Sequence, residues 1–202
     1  LAARLLNAPS DVGLEFDSLA DMITSGVAPA IVMVQLLNES FFGQPFIISE
    51  TFSVDEWNLG MTNYLPLMGL VIAIASGYRL AKFNVDTRQT TSFIGLPTPA
   101  NALLILSLPL ILHFQSSEWI EGLILNKWFL IGLTLVSSML LNAELPLFGL
   151  KFKTWDFKSN AMRYLFLVFC LVLLAVLQFI AIPLIILTYI LLSLFWKDKN
   201  TK

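Results

Sequence analysis

The sequence predicts an all-α fold, a polytopic bundle of membrane-spanning helices. Its 202 residues are 57% hydrophobic and 13% charged, whereas charged residues make up about a quarter of an ordinary soluble domain. The mean hydropathy is +0.79. Several apolar runs reach the roughly 17–25 residues that a spanning helix requires, and a helix satisfies its own backbone hydrogen bonds in lipid. These observations exclude an ordinary soluble domain.

Four spans are predicted in the first three quarters of the chain. They cover residues 19–37, 61–81, the stretch that follows the 93–99 turn as far as residue 114, and 128–148. Ser10 precedes the first span and is a good candidate to cap its helix. Residues 116–127 are expected to form a short acidic loop.

The last apolar run covers residues 164–195 without interruption. A single helix of this length would be about 48 Å long, whereas the hydrocarbon core of a bilayer is about 30 Å thick. Two helices with a bend at residues 178–183 fit better, which gives six spans in this chain.

The basic residues support the six-span topology. With six spans, 11 of the 12 Lys and Arg residues lie on one side of the membrane, and only Lys127 lies on the other. The excess of basic residues predicts that the first side is cytoplasmic. We therefore expect an integral protein of the cytoplasmic, or inner, membrane.

Gly13, Asp17 and Asp21 recur every four residues and so share one face of a helix, with two carboxylates a turn apart. Like charges so close to lipid are unfavourable, and a bound cation would relieve them. Carboxylate oxygens suit Mg²⁺, Mn²⁺ or Ca²⁺. The alternative is a solvated helix start whose acids are favoured by the helix dipole.

Other charged residues near the predicted cytoplasmic side also have two interpretations. Arg79 and Lys82 could bind a diphosphate or a carboxylate, or could simply anchor a helix end at the membrane surface. Glu144, close to Asn142, is predicted inside the fourth span, either as a functional acid or as a partner for a nearby base. His113 is interpreted as an interfacial residue rather than a ligand.

The residues Ala3-Arg4, then Gly13, Asp17 and Asp21, match the second half of the signature D-x2-D-G-x2-A-R-x8-G-x3-D-x3-D. The chain thus resembles the CDP-alcohol phosphatidyltransferase family. The stretches 25–29, 79–84 and 93–97 are most similar to its membrane-embedded CDP-diacylglycerol–serine O-phosphatidyltransferase branch.

The resemblance implies an enzyme that transfers a phosphatidyl group from CDP-diacylglycerol to L-serine at a site facing the cytoplasm. It makes Asp17 and Asp21 ligands of a divalent cation, Mg²⁺ or Mn²⁺, and Asp21 the candidate catalytic base. Ala3, Arg4 and Gly13 would contact the nucleotide, and Arg79 and Lys82 the phosphate or the serine carboxylate. The expected partners are both substrates, membrane lipids and a second copy in a homodimer, without nucleic acid.

The first two aspartates of the signature should precede Ala3. We therefore expect residues 1–202 to be a single transmembrane domain that lacks its N-terminal part, inactive alone, with eight spans in the full protein. Another acceptor, such as glycerol phosphate or inositol phosphate, remains an alternative. So does a transporter or non-catalytic membrane scaffold, which would not explain the spacing from Ala3 to Asp21.

Overall fold

A computed structural model describes residues 10–45, 61–85, 93–147 and 157–195, and the all-α prediction is confirmed in these ranges. In chain order the helices are α1 (Asp11–Met22), α2 (Ala28–Phe42), α3 (Val71–Val85), α4 (Thr98–Phe114), α5 (Glu118–Ile124), α6 (Lys127–Asn142), α7 (Phe157–Leu177) and α8 (Ala181–Phe195). The described strands are two-residue segments, β1 (Phe93–Ile94) and β2 (Pro146–Leu147), which pair antiparallel.

Short stretches of wider or tighter helix connect some of these elements. A π-helical turn, Ile23–Val27, joins α1 to α2, and a 3₁₀ segment, Met61–Leu70, leads into α3. Pro29 lies in the first turn of α2. Since proline cannot donate to the carbonyl one turn earlier, the chain widens immediately before it. Turns of this kind often occur at functional sites.

Contacts at one end of the bundle join α1 to α3, and α3 to the segment that follows α6. Asn84 Nδ2 donates a hydrogen bond to Ser18 Oγ at 3.0 Å. Lys82 Nζ lies 3.5 Å from Glu144 Oε1. We call this end, which also holds Asp17, the acid end.

Contacts at the opposite end, which we call the far end, join the last turn of α2 to the turn between α5 and α6. Ser40 Oγ donates to the backbone carbonyl of Leu125, and Lys127 Nζ lies 5.9 Å from the ring centroid of Phe41. The chain therefore runs alternately between the two ends, in agreement with the predicted topology. Its passes are α1 with α2, the 3₁₀ segment with α3, α4, α6, α7 and α8.

The last apolar run folds back on itself, as predicted. Gln178 has a φ of 48°, a left-handed conformation that interrupts the helix. The rings of Phe166 and Tyr189 have centroids 6.1 Å apart. In a straight helix these residues would be roughly 35 Å apart. Helices α7 and α8 are therefore antiparallel neighbours.

Among the described residues, the number of candidate membrane spans by length and composition alone is smaller than the number of helical passes. Three helices are long and apolar enough to cross a membrane, and the bent pair of α5 and α6 (54°) would make four. One of the three, Arg163–Leu194, is the folded-back pair, and α4 is an apolar helix just below that length. The six predicted spans thus correspond to six helical passes, some of them short.

Two predicted boundaries were wrong. The fourth span was expected to reach residue 148, but α6 ends at Asn142 and Ala143 is extended. The apolar residues that follow enter β2 instead, and an apolar run cannot by itself distinguish helix from strand. The acidic loop predicted at residues 116–127 contains α5, whose first turn carries Glu118 and Glu121, where the helix dipole favours acids.

The side chain of Gln115, the residue that follows α4, hydrogen-bonds to the backbone of the turn between α7 and α8. Gln115 Nε2 donates to the carbonyl of Leu177, and Gln115 Oε1 accepts from Ile180 N, both at 3.1 Å. Replacing Gln115 by Leu leaves both backbone groups without this partner, so we expect a loss of about 2–4 kcal/mol in stability. Thermal unfolding in detergent measures it. Ser116→Ala, at the exposed neighbouring position, is the control, and equal melting temperatures for both variants would contradict this role.

Candidate active site at the acid end

The acid stripe, defined as Gly13, Asp17 and Asp21, begins at a capped helix start. Ser10 Oγ accepts a hydrogen bond from Gly13 N at 3.0 Å, which confirms Ser10 as the N-cap of α1. Gly13, Asp17 and Asp21 are all exposed. Their spacing places the two carboxylates one helical turn apart on one face, open to a ligand from outside the bundle.

The acid stripe continues from the exposed surface into the bundle interior. Ser25 follows Asp21 by four residues and is buried in the π-helical turn. A Cβ added to Gly26 would lie 3.0 Å from Ser76 Cβ, so the backbone approaches α3 closely at this point. The π-helical turn that carries Ser25 therefore packs against α3.

Arg79 and Lys82 both lie at the acid end, but in different environments. Arg79 is 8% exposed, and its Nε has no hydrogen-bond partner in the described ranges. The side chain of Lys82 is 33% exposed and pairs with that of Glu144, which is 68% exposed. Exposed ion pairs of this kind contribute little to stability. Arg79 is thus the buried cation of the site, and Lys82 lies nearer its rim.

Of the two interpretations of Glu144, pairing with a nearby base is observed, but the predicted location of Glu144 was wrong. Glu144 follows α6 rather than lying inside a membrane-spanning helix. Its exposure removes the cost that an intramembrane acid would carry. His113 is exposed at the far end, and its ring lies edge-on to that of Phe114 with centroids 4.6 Å apart. Its interfacial position stays a prediction.

Buried side-chain atoms without a hydrogen-bond partner are concentrated in the acid half of the bundle. Within the described ranges they are Ser76 Oγ, Arg79 Nε, Asn101 Nδ2 and Oδ1, Ser138 Oγ and Asn142 Oδ1. An unsatisfied buried polar group costs about 1–3 kcal/mol. Native proteins keep such groups where a ligand, ion or water completes their hydrogen bonds.

The helices that carry these atoms are connected at the acid end. Asn142 Nδ2 donates to the carbonyl of Ala75 at 3.1 Å, which joins α6 to α3 beside Ser76. Leu96 N donates to the carbonyl of Leu140 at 2.9 Å, which joins the start of α4 to the last turns of α6. Asn101 lies in the first turns of α4, which also contacts the π-helical turn. Helices α3 and α4, which carry most of the unpaired groups, each contact both α6 and the π-helical turn.

The sequence analysis did not select Ser76, Asn101 or Ser138. Small polar residues are frequent in membrane helices, and the sequence does not show which face they occupy. One signal in the sequence could have identified Asn101. A buried Asn within an apolar helix is costly, and Asn101 lies just after the 93–99 turn.

The residues present fit part of a divalent-cation site. Asp17 and Asp21 offer four carboxylate oxygens, the ligand type that Mg²⁺ and Mn²⁺ prefer. Within the described ranges no group of three or more His, Cys, Asp or Glu side chains could hold a metal ion. Ala3 and Arg4, which the sequence analysis placed on the nucleotide side, lie outside the described residues.

Comparison with known proteins adds independent information. Residues 1–140 match the family model described as CDP-alcohol phosphatidyltransferase. The chain is 34% identical over 142 residues to the CDP-diacylglycerol–serine O-phosphatidyltransferase of Helicobacter pylori, covering 68% of this chain and 51% of the relative.

Two further relatives carry the same name. The Bacillus subtilis protein is 37% identical over 109 residues, covering 53% of this chain and 50% of the relative. The Mycobacterium tuberculosis protein is 30% identical over 154 residues, which cover 72% of this chain and 44% of the relative. The chain thus spans about half the length of the relatives that it matches.

Proposed function

Since the chain belongs to the CDP-alcohol phosphatidyltransferase family, we propose that the protein transfers the phosphatidyl group of CDP-diacylglycerol to L-serine, giving phosphatidylserine and CMP. The observation that carries this proposal is the acid stripe, which lies in the same half of the bundle as the buried polar groups that have no hydrogen-bond partner among the described residues. The names of the relatives, all serine O-phosphatidyltransferases, support serine as the acceptor.

Asp17 and Asp21 would hold a divalent cation, Mg²⁺ or Mn²⁺. When bound, the cation neutralises charge on the diphosphate of CDP-diacylglycerol. The exposure of both carboxylates supports this role, because a lipid-linked nucleotide must approach from the membrane surface. The two further aspartates that the family signature expects before Ala3 would complete the ligand shell.

Asp21 would also accept the proton of the serine hydroxyl. The serine oxygen then forms a bond to the phosphorus of the phosphatidyl group, and the bond from that phosphorus to the CMP oxygen breaks, with its electron pair leaving on CMP. A base positioned in this way contributes about 10²–10⁴-fold to a rate. Asp21 suits this role better than Asp17 because it lies one turn closer to the buried polar groups.

The remaining site residues would bind the substrates. Arg79 and Lys82 supply positive charge to the phosphate or to the serine carboxylate. Gly13 permits close approach of the nucleotide to α1, and Ala3 and Arg4 would contact the same part of the substrate.

The acid end would face the cytoplasm, in the inner membrane. Arg79 and Lys82 lie at this end, whereas Lys127 lies at the far end, which is the asymmetry that the positive-inside rule describes. We further propose that residues 1–202 belong to one transmembrane domain, that the full protein has eight spans, and that it works as a homodimer.

An acceptor panel tests the function. The complete protein, purified in detergent with Mg²⁺ or Mn²⁺ and CDP-diacylglycerol, should release CMP with L-serine and form phosphatidylserine. Glycerol phosphate and inositol phosphate should support at most a few per cent of that rate. Faster turnover with a phosphorylated acceptor would replace serine by that alcohol. No CMP release with any acceptor would favour a non-catalytic membrane protein.

A further inference from the structure

We propose that the buried side chains of Ser76, Asn101 and Ser138, together with Arg79, form the pocket that binds the amino and carboxylate groups of a small zwitterionic acceptor. This inference rests on the proposed function and deepens it, since it assigns the acceptor's binding residues and its charge class.

Asn101 carries the inference furthest. Its side chain is fully buried, and neither Nδ2 nor Oδ1 has a partner within the described ranges. An amide offers two donor hydrogens and two acceptor lone pairs, so this residue alone leaves several hydrogen bonds unmade. A purely structural Asn would be expected to bond to a nearby backbone group, as Asn142 does through Nδ2 to Ala75.

A second, independent observation comes from other elements of the bundle. Ser76 on α3 is fully buried, and Ser138 on α6 is 8% exposed. The hydroxyl oxygens of both lack partners in the part of the chain that the structure describes. In contrast, Thr134 and Ser107, equally buried, bond to backbone carbonyls within their own helices, at 2.8 and 2.7 Å. The missing hydrogen bonds of Ser76 and Ser138 are thus not a general property of buried hydroxyls in these helices.

The chemistry of these groups matches an amino acid. Asn101 Oδ1 and the serine hydroxyl oxygens can accept hydrogen bonds from an ammonium group, and Asn101 Nδ2, the hydroxyls and Arg79 Nε can donate to a carboxylate. In the described ranges Arg79 is the one charged side chain that is buried. A single buried cation balances one carboxylate. A phosphorylated alcohol carries a charge of about −1.5 to −2, so the single positive charge of Arg79 would not neutralise it.

The position of the pocket agrees with the direction of transfer. Ser25 continues the acid stripe into the interior, and its neighbour Gly26 meets Ser76. A small acceptor bound beside Ser76 would therefore lie on the line that leads outward to Asp21. Its hydroxyl would point toward the carboxylate that is proposed to take the proton.

The test replaces Asn101 by Leu, which keeps a similar volume and removes both polar atoms. In the complete protein we expect the KM for L-serine to rise by roughly 10- to 100-fold, with the KM for CDP-diacylglycerol unchanged. Loss of unsatisfied polar atoms should leave the melting temperature unchanged or raise it. Ser107→Ala, on the same helix and equally buried, is the matched control and should change neither KM.

Direct binding supplies a readout that does not depend on turnover. L-Serine without CDP-diacylglycerol should raise the melting temperature of the wild type in detergent, because a ligand stabilises the state that binds it. The Asn101→Leu variant should lose this shift, and glycerol phosphate should produce none in either protein.

The outcomes separate this inference from the proposed function. A protein that makes phosphatidylserine, but whose Asn101→Leu variant keeps the serine KM and the serine-induced shift, would overturn the pocket and leave the function standing. A variant that only loses stability would show Asn101 to be structural and would also overturn it. A preference for a phosphorylated acceptor would overturn the proposed function itself, and the charge argument with it.

Discussion

Replacing Asp21 by Asn should reduce the formation of phosphatidylserine by about 10²–10⁴-fold, while the protein stays folded. The substitution keeps the shape of the side chain but removes the carboxylate that we propose accepts the proton and binds the cation. Because it also removes one of two like charges a helical turn apart, it should not lower the melting temperature. The measurement is incorporation of labelled serine into lipid by the complete protein, at saturating CDP-diacylglycerol.

The matched control for Asp21→Asn is Glu15→Gln on the same helix. Glu15 is also exposed, but its position lies outside the acid stripe, about half a turn away from Asp17. The control removes the same charge from the same surface, so we expect it to keep nearly full activity. Comparable rates for the two variants would mean that the acid stripe acts only through its charge at the membrane surface.

Gly95→Ala should cause the largest loss of stability among single methyl additions at the acid end. Gly95 has a φ of +76°, and a Cβ there would lie 2.7 Å from the carbonyl oxygen of Leu141 and 2.9 Å from that of Ala143. The strain of a left-handed backbone and the overpacking together should lower the free energy of unfolding by roughly 2–5 kcal/mol. The change also displaces the start of α4, which carries Asn101, so serine turnover should fall as well.

Gly43→Ala separates the two contributions to that loss. Gly43 also has a positive φ, +68°, but a Cβ there meets nothing within 4 Å. This variant should lose only the conformational part, about 1–2 kcal/mol. Thermal unfolding of both variants in the same detergent gives the comparison. If Gly95→Ala were no less stable than Gly43→Ala, the close contact between the 93–97 turn and α6 would not exist as described.

Much of the fold could be predicted because membrane helices follow from hydropathy and charge. The reversal at Gln178 was predictable, since a single helix covering residues 164–195 would exceed the bilayer. The end of α6 was not, because the apolar residues up to Leu147 continue the hydrophobic run. The helix ends at Asn142 and β2 begins at Pro146, and hydropathy alone indicates neither boundary.

The acid stripe could be predicted from spacing, because a period of four residues places Asp17 and Asp21 on one face. The buried polar groups could not. Ser76, Asn101 and Ser138 lie on three different helices, and Ser107 and Thr134 look the same in sequence. What distinguishes the first three is that their buried polar atoms have no hydrogen-bond partner among the described residues, which is a property of the packed bundle.

The central claim is that the acid stripe holds a divalent cation, and Mn²⁺ binding measures this most directly. Titration of the complete protein with Mn²⁺, followed by electron paramagnetic resonance of the free ion, requires no substrate and no turnover. We expect saturable binding by the wild type and by Glu15→Gln, and at least about tenfold weaker binding by Asp17→Asn and Asp21→Asn. Equal affinities in all four proteins would contradict the claim.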